Sequence, residues 1–231
     1  MNNQAAETYY TDRAPRLLRG FDRFSKRLKK SLTARYGDAF AIEVTAVTRT
    51  EFERIIPELP YIGGRKNYFT PVMLVNGWLV ALYRAMKERG KSAEEVIAVC
   101  FEISDGFFRT FPSFVLRFGG KAAFSGFVKN ALKKQAAMSQ ERRYSGDFVY
   151  NVREGEDGEM TLEFSECAVN KFYEAQRVQE LKPFCNFFDV AYSRVMNMGL
   201  DASETIGQGC RTCKLRYKHG RETVVPPWGQ A

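Results

Sequence analysis

Histidine is nearly absent from this sequence: His219 is the only one among 231 residues. Serine-type triads use a histidine as the base, so one histidine near the C-terminus leaves little from which to build one. Cysteine is also scarce, with five residues at irregular spacings. An odd number of cysteines behind a polar N-terminus favours reduced thiols over a disulfide framework, and we expect a cytoplasmic protein.

Long apolar runs are missing as well. The longest, residues 72–83, is shorter than the ~20 residues that a membrane-spanning helix needs. The first ten residues are polar and do not resemble a secretory signal. The sequence therefore predicts no membrane span.

The net charge of +8 is concentrated at one end of the chain. Residues 1–36 carry nine lysines and arginines against three acidic residues, which accounts for +6 of the total. Neither interleaved exposed aromatics nor a recognisable motif accompanies this charge, so we expect no nucleic-acid partner. Apolar residues recur at helical spacing within 13–36, which predicts an amphipathic helix packed on the core, with binding to an anionic membrane surface as the alternative.

The middle of the chain predicts three helices. A threonine–proline pair opens the first, over 70–89, and a glycine follows it. Ser92 and Glu95 have the spacing of a capping box, which opens a second helix ending near residue 110. A third helix is predicted over 121–143 between two glycine-containing turns. Its expected inward-facing residues are Ala122, Ala123, Phe127, Ala131 and Leu132.

The pattern then changes to alternation with a period of two. Residues 147–165 predict a β-hairpin, and 212–218 predict a further strand of the same sheet. Two helices, about 168–181 and 184–198, separate them. We therefore predict the α+β class: an N-terminal helical half packed with a small antiparallel sheet (hairpin plus C-terminal strand) and two further helices.

The whole chain, 1–231, is expected to form a single domain. Residues 13–143 are its mainly helical half, and 146–221 are the α+β half that carries the cysteine cluster.

Three cysteines are expected to converge in that second half. Cys167 follows the hairpin, Cys213 lies on the covered side of the last strand, and Cys185 is predicted in the first turn of a helix. The positive end of a helix lowers a thiol pKa, which favours Cys185 as a nucleophile. Asp189 lies four residues further, on the same face of the predicted helix, as a general base or acid.

Two other interpretations of the cysteines remain open. Cys210 and Cys213 form a CxxC pair that Cys167, Cys185 or His219 could complete as a zinc site, although a single such pair is weak support and we expect no metal. Free cysteines also pack as small hydrophobic residues, which we expect for Cys100.

Three segments resemble a known family. They are ELPYIGGRKNYFTPVMLVNGWLVALYRAMKERGKSAEEV (58–96), EFSECAVNKFYEAQRVQELKPFCNFFD (163–189) and GQGCRTCKLRYKHG (207–220). Together they resemble the L-2-amino-thiazoline-4-carboxylic acid hydrolase family. Lys214 and Leu215 depart from the acidic residue and phenylalanine that usually follow the last cysteine in that family, so the substrate is expected to differ.

The resemblance implies hydrolytic opening of a cyclic amidine-like ring that bears a carboxylate. A cysteine thiolate with Asp189 and Glu166 would supply the nucleophile and the acid. Arg65, Lys214 or Arg216 would hold the carboxylate of a small anionic heterocyclic substrate, without a cofactor.

Asn67 lies just before the first apolar helix, where an amide is well placed to bind a polar substrate. The alternative to an enzyme is a non-enzymatic ligand-binding or metal- and thiol-sensing domain of the same fold.

Overall fold

The computed structural model describes residue 6 and residues 8–229. The helices of this part are α1 (Ala14–Tyr36), α2 (Asp38–Ile55), α3 (Thr70–Lys87), α4 (Ala93–Phe108), α5 (Ser113–Ala123), α6 (Gly126–Ser139), α7 (Ala168–Ala175) and α8 (Phe187–Val195). The strands are β1 (Val149–Glu154), β2 (Met160–Glu166), β3 (Leu200–Glu204) and β4 (Cys213–Tyr217). None of the helices within these described residues combines the length and apolar character needed to cross a bilayer.

The four strands form one antiparallel sheet in the order β1-β2-β4-β3. β4 is therefore inserted between β2 and β3, and Cys213 lies opposite Phe164 of β2. Burial alternates along β4, with Cys213, Leu215 and Tyr217 buried and the two cations between them partly exposed. The predicted hairpin, the further strand and the α+β class are confirmed.

The basic N-terminal helix packs on the core. Phe21, Leu28 and Leu32 of α1 are buried, because helical spacing places them on one side of α1. The ring of Phe21 stacks on Phe52 of α2 at a centroid distance of 5.5 Å. This confirms the packing interpretation and leaves α1 without an apolar face for a membrane surface.

Local signals give mixed outcomes in the helical half. The capping box is confirmed: the Ser92 side chain accepts from the Glu95 N–H, and the Glu95 carboxylate accepts from the Ser92 N–H. A single helix over 121–143 is wrong, since α5 ends at Ala123 and α6 begins at Gly126. The hydroxyl of Ser125 caps α6 by accepting from the Val128 N–H, which starts a new helix there. Phe127 is 84% exposed instead of facing inward.

The second half contains one strand that the pattern did not predict. β3 is short and its sequence, LDASE, is poor in β-branched and aromatic residues, so its pairing with β4 determines its conformation. The two predicted helices are also shorter than expected. α7 ends at Ala175, before Arg177 with φ 57°, and α8 begins only at Phe187.

Candidate active site

A small cavity of about 50 Å³ lies between the sheet and α8. The structure brings four predicted side chains to its wall: Cys167, Cys185, Cys213 and Asp189. Cys167 joins β2 to α7, Cys213 begins β4, and Asp189 lies in the first turn of α8. Four separate segments thus contribute polar groups to one cavity.

The local structure around Cys185 differs from the prediction. Pro183 lies inside a 3₁₀ helix, Gln179–Phe184, and Cys185 follows it, two residues before α8 begins. The cysteine is therefore outside the first turn of α8, where the helix dipole was expected to act on it.

The backbone at Gly207 passes very close to the Cys185 segment. A Cβ atom at residue 207 would lie 2.0 Å from the Lys182 carbonyl oxygen and 3.2 Å from the Cys185 sulfur. Only glycine allows this approach, so Gly207 holds the turn after Thr205 against the Cys185 thiol.

The three thiols form a chain of contacts. Cys167 contacts both Cys185 and Cys213, and all three residues are at most 9% exposed. The contact with Cys185 raises the pKa of Cys167 to about 12, whereas the contact with Cys213 acts in the opposite direction. The Cys167 contact, followed by burial, raises the pKa of Cys213 further still.

Two backbone groups complete the hydrogen bonding of this chain. The Ile206 N–H donates to the Cys213 sulfur at 3.1 Å, and the Asn170 N–H donates to the Cys167 sulfur. Both donors favour negative charge on the sulfur that they contact, but at Cys213 the Cys167 contact and then burial outweigh the Ile206 donor.

Asp189 is the carboxylic acid of the cavity. Burial raises its pKa to about 6, although the hydroxyl of Tyr192 donates to its Oδ1 at 3.1 Å and acts in the opposite direction. The Tyr192 hydroxyl also lies 3.1 Å from that of Tyr217 on β4. A carboxyl group with a pKa near neutrality can accept and return a proton within one reaction cycle.

Two further polar residues line the cavity and were missed by the sequence analysis. Asn186 is 5% exposed and Thr205 is 1% exposed, yet the Asn186 amide and the Thr205 hydroxyl have no hydrogen-bond partner among the described residues. Buried polar groups are rarely left unpaired, because each costs about 1–3 kcal/mol. The sequence signal for Asn186 was only its position next to Cys185.

Glu166 and the predicted cations of β4 lie elsewhere. Glu166 does not line the thiol cavity and makes ion pairs with Arg142 and Lys171. Lys214 and Arg216 lie on the face of β4 opposite to Cys213. Both pair with the carboxylate of Glu204 on β3. These three side chains are therefore occupied outside the cavity.

Asn67 belongs to a separate polar cluster. Its amide nitrogen donates to the carbonyl of Ile62 at 2.6 Å and to the carboxylate of Asp147 at 3.1 Å. Its amide oxygen accepts from the Phe69 N–H at 2.9 Å and from the side chain of Gln135 at 2.7 Å. The amide is thus fully used in holding the start of α3 against α6 and β1.

Arg65 is exposed and lines a surface hollow together with Asn67, not the thiol cavity. Among the described residues that line the thiol cavity, none is a lysine, arginine or histidine. The described lining of this cavity therefore contains no cation that could bind a substrate carboxylate, the role predicted from the sequence for Arg65, Lys214 or Arg216.

The components of the zinc alternative are dispersed. Cys210 and His219 are both exposed, whereas Cys213 is buried in the sheet. Within residue 6 and residues 8–229, no group of three or more histidine, cysteine, aspartate or glutamate side chains is placed to hold a metal ion. Cys100 is buried in α4, and burial raises its pKa to about 12.

The fold and the site together describe an α+β protein with a thiol- and carboxyl-containing cavity for a small molecule. The family model of L-2-amino-thiazoline-4-carboxylic acid hydrolase matches residues 72–217, more than half of the chain, and the chain belongs to this family. The match includes every cysteine of the cavity and ends at the last residue of β4, but begins after Arg65 and Asn67. Comparison with curated proteins and with solved structures returned no match.

Proposed function

We propose that this protein is a cysteine-dependent hydrolase that opens the C–N bond of a cyclic amidine-like ring, of the thiazoline type. The observation that carries the proposal is one cavity that holds a chain of thiols, a carboxyl group and two unbonded polar side chains. Membership of a family named for a thiazoline hydrolase supports the same chemistry.

Cys185 is the nucleophile in this proposal. It contacts Cys167 and lies on the cavity wall beside the unbonded Asn186 amide, where a substrate would bind. The raised pKa values of Cys167 and Cys213 disfavour them as attacking groups.

The reaction proceeds in two steps. In the first, the Cys185 sulfur bonds to the ring carbon that lies between nitrogen and sulfur, and the ring C–N bond breaks. The leaving nitrogen takes the thiol proton and one proton from the amino group on the same carbon, which becomes an imine. In the second, water adds to the same carbon, its protons pass to the departing thiolate and the adjacent nitrogen, and the enzyme C–S bond breaks. The product is a ring-opened thiocarbamate, and the thiol is regenerated.

Asp189 moves the proton in the first step. As the carboxylate it accepts the thiol proton, and as the acid it delivers that proton to the leaving ring nitrogen. A pKa of about 6 allows both forms near neutral pH.

Asn186 and Thr205 bind the polar edge of the substrate in place of the expected cations. Their unpaired amide and hydroxyl groups offer donors and acceptors on the cavity wall. The cavity is small, about 50 Å³. The ring enters by displacing the neighbouring turn Ile206–Gln208, whose residues are more exposed than Thr205.

Mass spectrometry tests the proposal directly. The protein is incubated with 2-amino-thiazoline-4-carboxylate, quenched in acid and digested. We expect ring-opened product and a substrate adduct on the peptide that contains Cys185. Product without any dependence on Cys185, or an adduct on exposed Cys210 alone, would contradict the proposed mechanism.

A further inference from the structure

The segment from the end of α4 to α6 exposes large aromatic side chains. Phe114 and Phe118 of α5 are 71% and 75% exposed, and Phe127 at the start of α6 is 84% exposed. Phe111, between α4 and α5, is also exposed. Scattered exposed apolar residues are ordinary, but several phenylalanines on adjoining turns form a patch that calls for a partner.

The exposed residues of α5 form one continuous stripe. Phe114, Arg117, Phe118 and Lys121 follow the i, i+3, i+4, i+7 spacing, which places them on one side of the helix, and all four are exposed. α5 touches the body of the protein away from this stripe at Gly120, the only buried residue of this helix, where an added Cβ would lie 1.9 Å from the Met196 carbonyl oxygen. α5 thus presents alternating rings and cations to the outside.

The charge of the segment has one sign. Between Asp105 and Glu141 the chain has six lysines and arginines and no acidic residue. Lys129 and Lys133 pair with Glu154 of β1.

Three other cations of this segment have no such partner. Arg117, Lys121 and Lys134 are exposed and form no ion pair with any carboxylate in the described part of the chain. The free cations therefore lie on and beside the aromatic stripe.

We propose that this surface, the α5 stripe with Phe111 and Phe127, binds peripherally to an anionic lipid bilayer. Phenylalanine rings enter the boundary between headgroups and acyl chains, while neighbouring lysines and arginines contact anionic headgroups. A second copy of the chain fits less well, because facing α5 stripes would place Arg117 and Lys121 against like charges. The basic helix α1 cannot serve this role, since its apolar side is buried against α2.

Vesicle sedimentation tests this surface. The full chain is mixed with phosphatidylcholine vesicles and with vesicles in which phosphatidylglycerol replaces a third of the lipid. We expect binding to the anionic vesicles that weakens as salt rises, because salt screens headgroup attraction. Replacing both Phe114 and Phe118 by serine should weaken the partition at least about tenfold, since two apolar side chains no longer insert. The Arg117→Gln/Lys121→Gln variant should lose the preference for anionic lipid.

Ile42→Ser is the matched control, because Ile42 is 54% exposed but lies on α2; it should bind like the wild type. Circular dichroism checks that each variant is folded. Absence of binding to anionic vesicles would overturn the proposal. Sedimentation velocity that shows a dimer, dissociated by the double phenylalanine change, would assign the surface to a second copy instead.

Discussion

Two polar clusters flank the sheet, and they differ in how much of their hydrogen-bonding capacity is used. Around Asn67, both ends of the amide are bonded to backbone and side-chain partners. Around Cys185, the Asn186 amide and the Thr205 hydroxyl are more deeply buried but have no partner among the described residues. A fully bonded cluster stabilises the fold, whereas unbonded groups beside a thiol are available to a substrate. The first cluster is therefore structural and the second is the candidate site.

Replacing the proposed nucleophile gives the largest expected effect. Cys185→Ser should lower kcat/KM for ring opening by about 10³-fold or more, since a hydroxyl is a much weaker nucleophile than a thiol. Its melting temperature should change little, because serine has nearly the same size. Cys210→Ser is the control and should keep full activity, since Cys210 is exposed and outside the cavity. Equal loss in both variants would contradict the assignment of Cys185.

Replacing one asparagine in each cluster shows how much each amide contributes to the free energy of unfolding. Asn67→Leu should lower the free energy of unfolding by about 3 kcal/mol, because it removes the hydrogen bonds of both ends of the amide, including those to the side chains of Gln135 and Asp147. The matched change Asn186→Leu removes an amide that has no described partner, so it should cost at least about 1 kcal/mol less. Urea denaturation measures both. A greater loss for Asn186→Leu would show that its amide is not free.

The raised pKa of Asp189 predicts a pH effect with a definite sign. The folded protein has a pKa of about 6 for this carboxyl group, above the ordinary value of 3.8. Ionising Asp189 therefore costs free energy in the native state, and this cost appears as the pH rises from about 3.8 to about 6. The free energy of unfolding of Asp189→Asn, relative to that of the wild type, should therefore rise by on the order of 2 kcal/mol between pH 4 and pH 7.

Activity supplies the second measurement on Asp189. Wild-type kcat/KM should rise with an apparent pKa near 6, and the variant should lack that step and be slower by about 10²-fold. A stability difference that does not change with pH would show that this carboxyl group is not perturbed.

The smallest expected effect distinguishes two buried hydroxyl groups. Thr205→Val should raise the free energy of unfolding by about 1 kcal/mol while raising KM, because it removes a buried hydroxyl that is unbonded in the structure. Thr48→Val is the control, since the Thr48 hydroxyl donates to the Val44 carbonyl at 2.7 Å. The control should lose about 1 kcal/mol and leave KM unchanged. Equal stability losses would show that Thr205 is bonded in solution.

Local patterns predicted the features that depend on neighbouring residues. Alternation predicted the hairpin and the covered face of β4, and the spacing of Ser92 and Glu95 predicted the cap of α4. The expectation that Cys167, Cys185 and Cys213 lie close together came from their positions at the ends of these elements. These inferences needed only the period of each segment.

The remaining features depend on contacts between distant segments. Lys214 and Arg216 were assigned to a substrate because β3, which carries their partner Glu204, has no strand pattern in its sequence. Asn186 and Thr205 were missed because an unpaired buried group can be recognised only when its surroundings are known. Asn67 was favoured as a substrate ligand for the same reason: the partners that occupy it lie far away in the sequence.

The position of β4 in the middle of the sheet also has a consequence for synthesis on the ribosome. Chain order places β4 last among the four described strands, yet it separates β2 from β3. Until β4 leaves the ribosome, the nascent chain holds two strand edges that have no hydrogen-bonding partner. Cys213 arrives with that strand, so the thiol chain is completed in the same event that closes the sheet. A nascent chain that stops before β4 thus lacks both a closed sheet and a complete candidate site.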